Sequence, residues 1–321
     1  MDLLKELEGL KTIAISGHIR PDGDCIGSVM GMYLYLKKVM PEAIIVPMIE
    51  KPAPEFECIK GIDDICTSFE PEVSTFDAFI GLDCSTMDRY GDAIKFFETA
   101  KKTIVIDHHI SNEGFGDVCL VEGEASSACE VIFGLMKKEY IDIEIAKALY
   151  IGIMTDTGVF QYSNVSPKTL RIVASLIEYG FDFSTIIDNI FYIKTRVQNE
   201  MLGRGLMESI VFNDGRCIVS KVDKKIMDFY QATPHDLDGI VNQLRYTKGV
   251  EVAIFMYELE PMKYKVSLRS KGNVDVAAIA KFYNGGGHKR AAGFSMEGTF
   301  HDCVNNISDS IMIQLENQGA N

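Results

Sequence analysis

The sequence predicts an α/β protein. A mostly parallel N-terminal sheet with helices on both faces is followed by a smaller C-terminal α/β domain, with a cleft between them. Three observations carry this. Short runs rich in Ile, Val and Phe alternate with helical patterns through the first half. Around 186–209 the pattern changes to a long mixed helical stretch that ends before the turn signal Asn213-Asp214-Gly215. Charge divides in the same region: residues 1–190 hold 16 basic and 31 acidic side chains, and residues 191–321 hold 16 and 15.

In chain order, buried strands are expected at 12–16, 43–49, 77–83 and 103–107, each too short and too β-branched for a helix. Helices are expected at 26–38, 126–139, 143–154 and 167–179, the last introduced by Ser166 as a cap and Pro167 in the first turn. After the turn come strands at 216–222, 250–257 and 264–269, helices at 224–231, 234–244 and 274–283, and a glycine-rich loop. The expected organisation is a first domain at 1–187, a helical linker at 188–210 and a second domain at 211–321.

An apolar fraction of 47% in 321 residues rules out a disordered chain and a small disulfide scaffold. The formal charge of −14 disfavours a clamp for long duplex nucleic acid, which neutralises many phosphates with Lys and Arg. Residues 263–290 are an exception, with seven basic side chains and one acid. Eight cysteines without a C-x-x-C pair suit a reducing compartment, and the N-terminus lacks the pattern of a signal peptide. No stretch approaches the roughly 18 apolar residues of a membrane span. The expectation is a cytoplasmic protein without a membrane partner.

Five constellations could carry chemistry. His18, Asp22 and Asp24 follow the first strand in a loop bent by Pro21 and Gly23, and can converge on a cation; Pro-Asp-Gly-Asp is also good turn chemistry by itself. Asp83 ends an apolar run, as a ligand or as a cap for the next segment. Asp107-His108-His109 ends a third strand, where one imidazole can bind metal, the other can face substrate, and Asp107 can orient a ring. Asp156 sits where an apolar helix runs into a glycine turn, an unfavourable place for a carboxylate unless a cation compensates. Together, four carboxylates and two imidazoles suit two divalent cations with one bridging carboxylate, the arrangement for phosphoester hydrolysis. Such mixed ligation favours manganese, with iron, cobalt and zinc compatible by affinity. The fifth is 285–293, Gly-Gly-Gly-His-Lys-Arg-Ala-Ala-Gly, a generic anion loop or a flexible linker, flanked by the positive Arg269-Ser270-Lys271.

This ordered set, over nearly the whole chain, resembles the DHH phosphoesterase family with its DHH-associated C-terminal domain, and most of all its bacterial nano-RNase/pAp phosphatases. The resemblance implies that His18 and Asp22 hold one manganese, that Asp24, His108 and Asp156 hold the other, and that Asp83 bridges. It implies that His109, oriented by Asp107, acts beside the scissile phosphate. Arg269, Ser270, Gly286, Gly287 and His288 would bind the far end of a short substrate, and Arg89 would reach a phosphate. Cys25 stands where the family pattern leads one to expect Ala. The implied activity is manganese-dependent hydrolysis of short RNA to 5′-mononucleotides and removal of the 3′-phosphate of 3′-phosphoadenosine 5′-phosphate (pAp). The alternative is a cyclic-dinucleotide or linear-dinucleotide phosphodiesterase. Related proteins suggest a homodimer.

Overall fold

The computed structural model describes residues 1–272 and 274–319, the side chains of 317–319 excepted. It divides into two compact units, Met1–Ile193 and Lys194–Asn321. In the first, the described residues form strands β1 (Thr12–Ser16), β2 (Ile44–Met48), β3 (Ala78–Leu82), β4 (Thr103–Asp107) and β5 (Val118–Val121). Helices α1 (Leu3–Glu6), α2 (Gly23–Val39), α3 (Ile94–Thr99), α4 (Ala128–Leu135), α5 (Ile143–Asp156), α6 (Pro167–Ile177) and α7 (Phe183–Ile187) surround them.

The sheet is parallel throughout, in the order β2-β1-β3-β4-β5. Both faces are covered, and the period of two along each strand divides its side chains between two cores. Ile13, Ile15, Ile80, Leu82 and Ile106 pack under α2, α4 and α5. Ala14, Phe79 and Val105 point the other way, into an aromatic core with Tyr90, Phe96 and Phe97. The chain runs from β1 to one side, then crosses to β3 on the other, so loops leaving β1 and β3 diverge and open a crevice at the carboxyl ends of these strands.

Helices α2 and α5 run antiparallel and touch through glycines. A Cβ on Gly27 would lie 2.6 Å from the Ala148 carbonyl oxygen, and one on Gly152 would lie 2.8 Å from Asp24 Oδ1. This approach brings the start of α2, with Asp24, against the end of α5, with Asp156. Gly27→Ala is expected to destabilise the fold by about 1–3 kcal/mol through overpacking against backbone. Urea unfolding should show it as a lower midpoint at unchanged slope.

Some elements differ from expectation for local reasons. The helix expected over 126–139 starts at Ala128, where the Ser127 side chain accepts from Glu130 N–H, and ends at Leu135. Strand β5 has four residues of mixed exposure at the sheet edge, too short to show a pattern. Pro47 is tolerated because β2 is the opposite edge. The Ser166 cap holds as expected, in a capping box with Thr169.

The second unit contains β6 (Ile210–Phe212), β7 (Cys217–Val222), β8 (Val252–Glu260), β9 (Lys263–Ser270), β10 (Gly286–His288) and β11 (Ala291–Glu297), ordered β10-β11-β9-β8-β7-β6. Its helices are α8 (Arg196–Met207), α9 (Lys224–Tyr230), α10 (Ile240–Arg245), α11 (Val276–Phe282) and α12 (Phe300–Gly319). One sheet face packs with residues of α11 and α12, the other with residues of α8, α9 and α10. Of the stretch 188–210, a π-helical turn at Asp188–Tyr192 falls in the first unit, and α8 packs into the second with Met201 fully buried. The helix expected over 234–244 is broken at Gly239, whose φ is 85°. The glycine-rich stretch is a strand: β10 pairs antiparallel with β11, and Gly287, at φ 141°, has no room for a Cβ beside Ala291 and Ala292.

Candidate active site

The site lies at the carboxyl ends of β1, β3 and β4. His18 follows β1, Asp83 follows β3, and Asp107 closes β4 with His108 and His109 just beyond. Asp22 caps α2, its Oδ1 accepting from the N–H groups of Asp24 and Cys25 at 3.1 Å each. Asp24 is in the first turn of α2, and Asp156 is the last residue of α5.

Asp83 is central. At φ 53° it is in the left-handed region, uncommon for a residue with a side chain, and its N–H donates to the Ile106 carbonyl at 3.1 Å. Its two oxygens face different rings: Oδ2 is 3.4 Å from His18 Nε2, and Oδ1 is 3.5 Å from His108 Nε2. Oδ1 is buried and makes no well-formed hydrogen bond among the described residues. His18 Nε2 also lies 3.6 Å from Asp22 Oδ1. His108 Nε2 lies 3.8 Å from Asp24 Oδ2 and 3.7 Å from Asp156 Oδ2. Thus all six expected ligands meet in one cluster, and Asp83 does not cap the segment that follows it.

Backbone groups and one carboxyl orient the imidazoles. His18 Nδ1 is 2.9 Å from the Ile19 carbonyl and His108 Nδ1 is 3.4 Å from the Ala125 carbonyl, so each ring turns Nε2 toward the carboxylates. Asp107 is fully buried: Oδ1 accepts from His108 N–H and faces His109 Nδ1, both at 2.8 Å, while Oδ2 accepts from Asn112 Nδ2 at 2.8 Å. That leaves His109 Nε2 unclaimed by Asp107, on a ring that is partly exposed.

Electrostatics follows from this crowding. Burial opposes charge on His18, but its contacts with Asp22 and Asp83 raise it to about 10. His108 is likewise opposed by burial and raised to about 10 by Asp83 and Asp24. Burial would raise Asp83, but the two rings hold it well below the usual carboxylate range. Burial, then Asp83 and Asp156, push Asp24 well up. Burial pushes Asp156 to about 6 against the opposing pull of His108.

The donor set fits divalent cations. His18 with Cys25 and Asp83, Asp83 with His108 and His109, and Asp24 with His108 and Asp156 each bring possible ligand atoms within 4.8 Å of one another, and Asp83 Oδ1 has no hydrogen-bond partner among the described residues. Without a cation, the two imidazoles keep protons up to about pH 10. Ligation needs neutral rings, so cation uptake should release protons, and affinity should rise with pH by up to about tenfold per unit for each proton displaced. Calorimetric titrations in buffers of different ionisation enthalpy check this; uptake without proton release would contradict it.

The remaining expected residues divide by place. The Arg89 side chain is exposed, and its carbonyl accepts from Ile19 N–H at 2.8 Å, tying the segment after β3 to the His18 loop. In the second unit, Arg269 on β9, Ala291 on β11 and His288 on β10 are in register, which sets Arg269 and His288 on the same face. Arg269 donates to Asn242 Oδ1 at 3.0 Å. Gly286, Gly287 and His288 are exposed. Ser270 points to the opposite face, fully buried, with its hydroxyl donating to the Val274 carbonyl. The Cys25 thiol contacts the His18 carbonyl, and burial pushes its pKa well up.

Sequence reading missed several supports: Asn112 under Asp107, the Ala125 carbonyl behind His108, and the N–H groups of Ala128 and Cys129, which hold Asp24 Oδ2 and Oδ1 at 2.6 and 3.0 Å. The one local signal was Ser126-Ser127 ahead of a helix, legible only as a cap.

Comparison with known proteins identifies the family. Residues 12–153 match the DHH family, N-terminal domain, and residues 214–314 match the DHHA1 domain. The chain is 30% identical to a Thermus thermophilus protein named bifunctional oligoribonuclease and PAP phosphatase NrnA, over 92% of this chain and 87% of that one. It is 27% identical to the Bacillus subtilis protein of the same name, over 92% of each. The crystal structure of an exopolyphosphatase-related protein from Bacteroides fragilis superposes with a TM-score of 0.87 at 26% identity, covering 97% of this chain and 94% of that one. Among the described residues no helix is long and apolar enough to cross a membrane.

Proposed function

As a member of the DHH family that carries a DHHA1 domain, the chain is a hydrolase of phosphate esters, and we propose that it cleaves very short RNA oligonucleotides to 5′-mononucleotides and removes the 3′-phosphate of pAp. In this reading residues 1–187 carry the chemistry and 211–321 bind substrate. The observation that carries it is the Asp83 carboxylate set between His18 and His108, a position from which it would be shared by two cations. The likeness to relatives named oligoribonuclease and PAP phosphatase, over nearly their full length, supports the choice of substrates.

His18 and Asp22 would hold one cation, Asp24, His108 and Asp156 the other, with Asp83 shared; manganese suits the oxygen and imidazole donors. Divalent cations in such a site supply activation of the attacking water and neutralisation of charge on the phosphoryl and leaving oxygens. The protein's own residues do the rest. Asp107 fixes His109 through Nδ1 and raises its pKa, which favours the doubly protonated ring, the form in which Nε2 would donate a proton to the leaving oxygen. Arg269 and His288, with the amides of Gly286 and Gly287, would receive a substrate phosphate. A few-phosphate substrate is compatible with an acidic chain whose basic side chains are concentrated in 263–290.

The deciding assay supplies the purified protein and Mn2+ with a dinucleotide, a long RNA, pAp and cyclic di-AMP. Rapid turnover of dinucleotide and pAp is expected. Hydrolysis of long RNA without dinucleotide cleavage would overturn the reading, and preference for cyclic di-AMP would replace it.

A further inference from the structure

Glu130 is in the first turn of α4, is 1% exposed, and has no part in the chemistry above. Its Oε2 accepts from Ser126 Oγ at 2.7 Å, Ser126 N–H at 3.3 Å and Thr169 Oγ1 at 2.7 Å. Oε1 makes no hydrogen bond among the described residues and lies 3.5 Å from Lys168 Nζ. A buried polar group that concentrates three donors on one oxygen ties together the segments that supply them.

Those segments are unequal. Thr169 is fixed at the start of α6, where its Oγ1 also accepts from Ser166 N–H in the capping box. Ser126 belongs to the segment 125–129, the bend before α4 and its first two residues, which touches two members of the cluster and reaches a third through Asn164. The Ala125 carbonyl faces His108 Nδ1, the N–H groups of Ala128 and Cys129 hold Asp24, and the Ser126 carbonyl shares Asn164 Nδ2 with the Asp156 carbonyl. Glu130 therefore joins a capped helix start to the turn that aims a ring and a carboxylate at the same point.

We propose that Glu130 is a positioning residue for the cation site of Asp24, His108 and Asp156, acting through hydrogen-bond acceptance at Oε2 and not through contact with cation or substrate. This rests on the reading that these three residues hold a divalent cation. Without Glu130, the Ser126 hydroxyl and the turn lose their anchor, and His108 and Asp24 lose the fixed geometry that cation binding requires.

The test is calorimetric titration of Mn2+ into the full chain and the variants Glu130→Ala, Glu130→Gln and Ser126→Ala, with urea midpoints measured on the same samples. Glu130→Ala is expected to weaken Mn2+ binding by about 10–100-fold. Glu130→Gln keeps an acceptor oxygen for the same three donors and should stay within about threefold of the parent. Ser126→Ala removes one hydroxyl from a turn and should give an intermediate loss at a nearly unchanged urea midpoint; it carries the test if Glu130→Ala does not fold. Parent-like binding in the folded variants that lack the acceptor or the hydroxyl would overturn the proposal. So would a loss in Glu130→Gln as large as in Glu130→Ala. A parent chain that takes up no Mn2+ would instead overturn the reading of the cation site itself.

Discussion

Asp83→Asn should lower dinucleotide and pAp turnover by about a thousandfold or more while the chain stays folded. The substitution preserves shape but removes a charge that two imidazoles face, at 3.4 Å from His18 and 3.5 Å from His108. An amide offers one acceptor oxygen in place of two, so it cannot serve both sides of the cluster. The cation contribution at stake is several kcal/mol of transition-state stabilisation, and each 1.36 kcal/mol is a factor of ten in rate. Raising the Mn2+ concentration should not restore the rate, because in the proposed arrangement the lost group is shared between the sites. Single-turnover kinetics at saturating Mn2+ is the measurement, and a rate within tenfold of the parent would refute the bridging role.

Asp107→Asn should have the next largest effect, a loss of about 10²–10⁴ in kcat with little change in cation affinity. Asp107 does not face the cations in the proposed arrangement; it accepts at 2.8 Å from the His108 backbone, the His109 ring and Asn112. An asparagine there offers donors where only donors are presented, so one contact is lost and the His109 ring is free to turn or change tautomer. The pH profile gives the sign. Asp107 raises the His109 pKa, so a proton-donating His109 works below that raised value and fails as pH rises through it. In Asp107→Asn the pKa falls back toward the ordinary imidazole value, and the alkaline limb of kcat should move to lower pH. A loss of rate with an unmoved alkaline limb would remove His109 from the role of acid.

Much of this site is legible in the chain because its residues stand where a local pattern begins or ends. A five-residue apolar run followed by a charged residue can only be a buried strand that opens to a polar end, since a carboxylate in its middle would be costly to bury. That logic marks His18, Asp83 and the Asp107-His108-His109 triplet without any knowledge of their neighbours. Ser166 and Pro167 mark the start of α6 for an equally local reason, the unsatisfied N–H groups of a first turn. Elements without a local signature stayed hidden. Strand β5 is short and half exposed, and β10 and β11 are strands because β9 supplies a partner for the ladder.

The sequence by itself determined which residue types stand at the ends of which strands and helices, and so the class of chemistry available. Only the tertiary structure decided how they meet. Asp24 is held by N–H groups 104 and 105 residues away, Asp83 turns one oxygen to each of two rings, and α2 reaches α5 only because Gly27 and Gly152 lack a Cβ. The physical reason is range. Capping and periodicity act within a turn or two of the chain, whereas the convergence of these six side chains depends on sheet order and helix contact, which no single segment encodes.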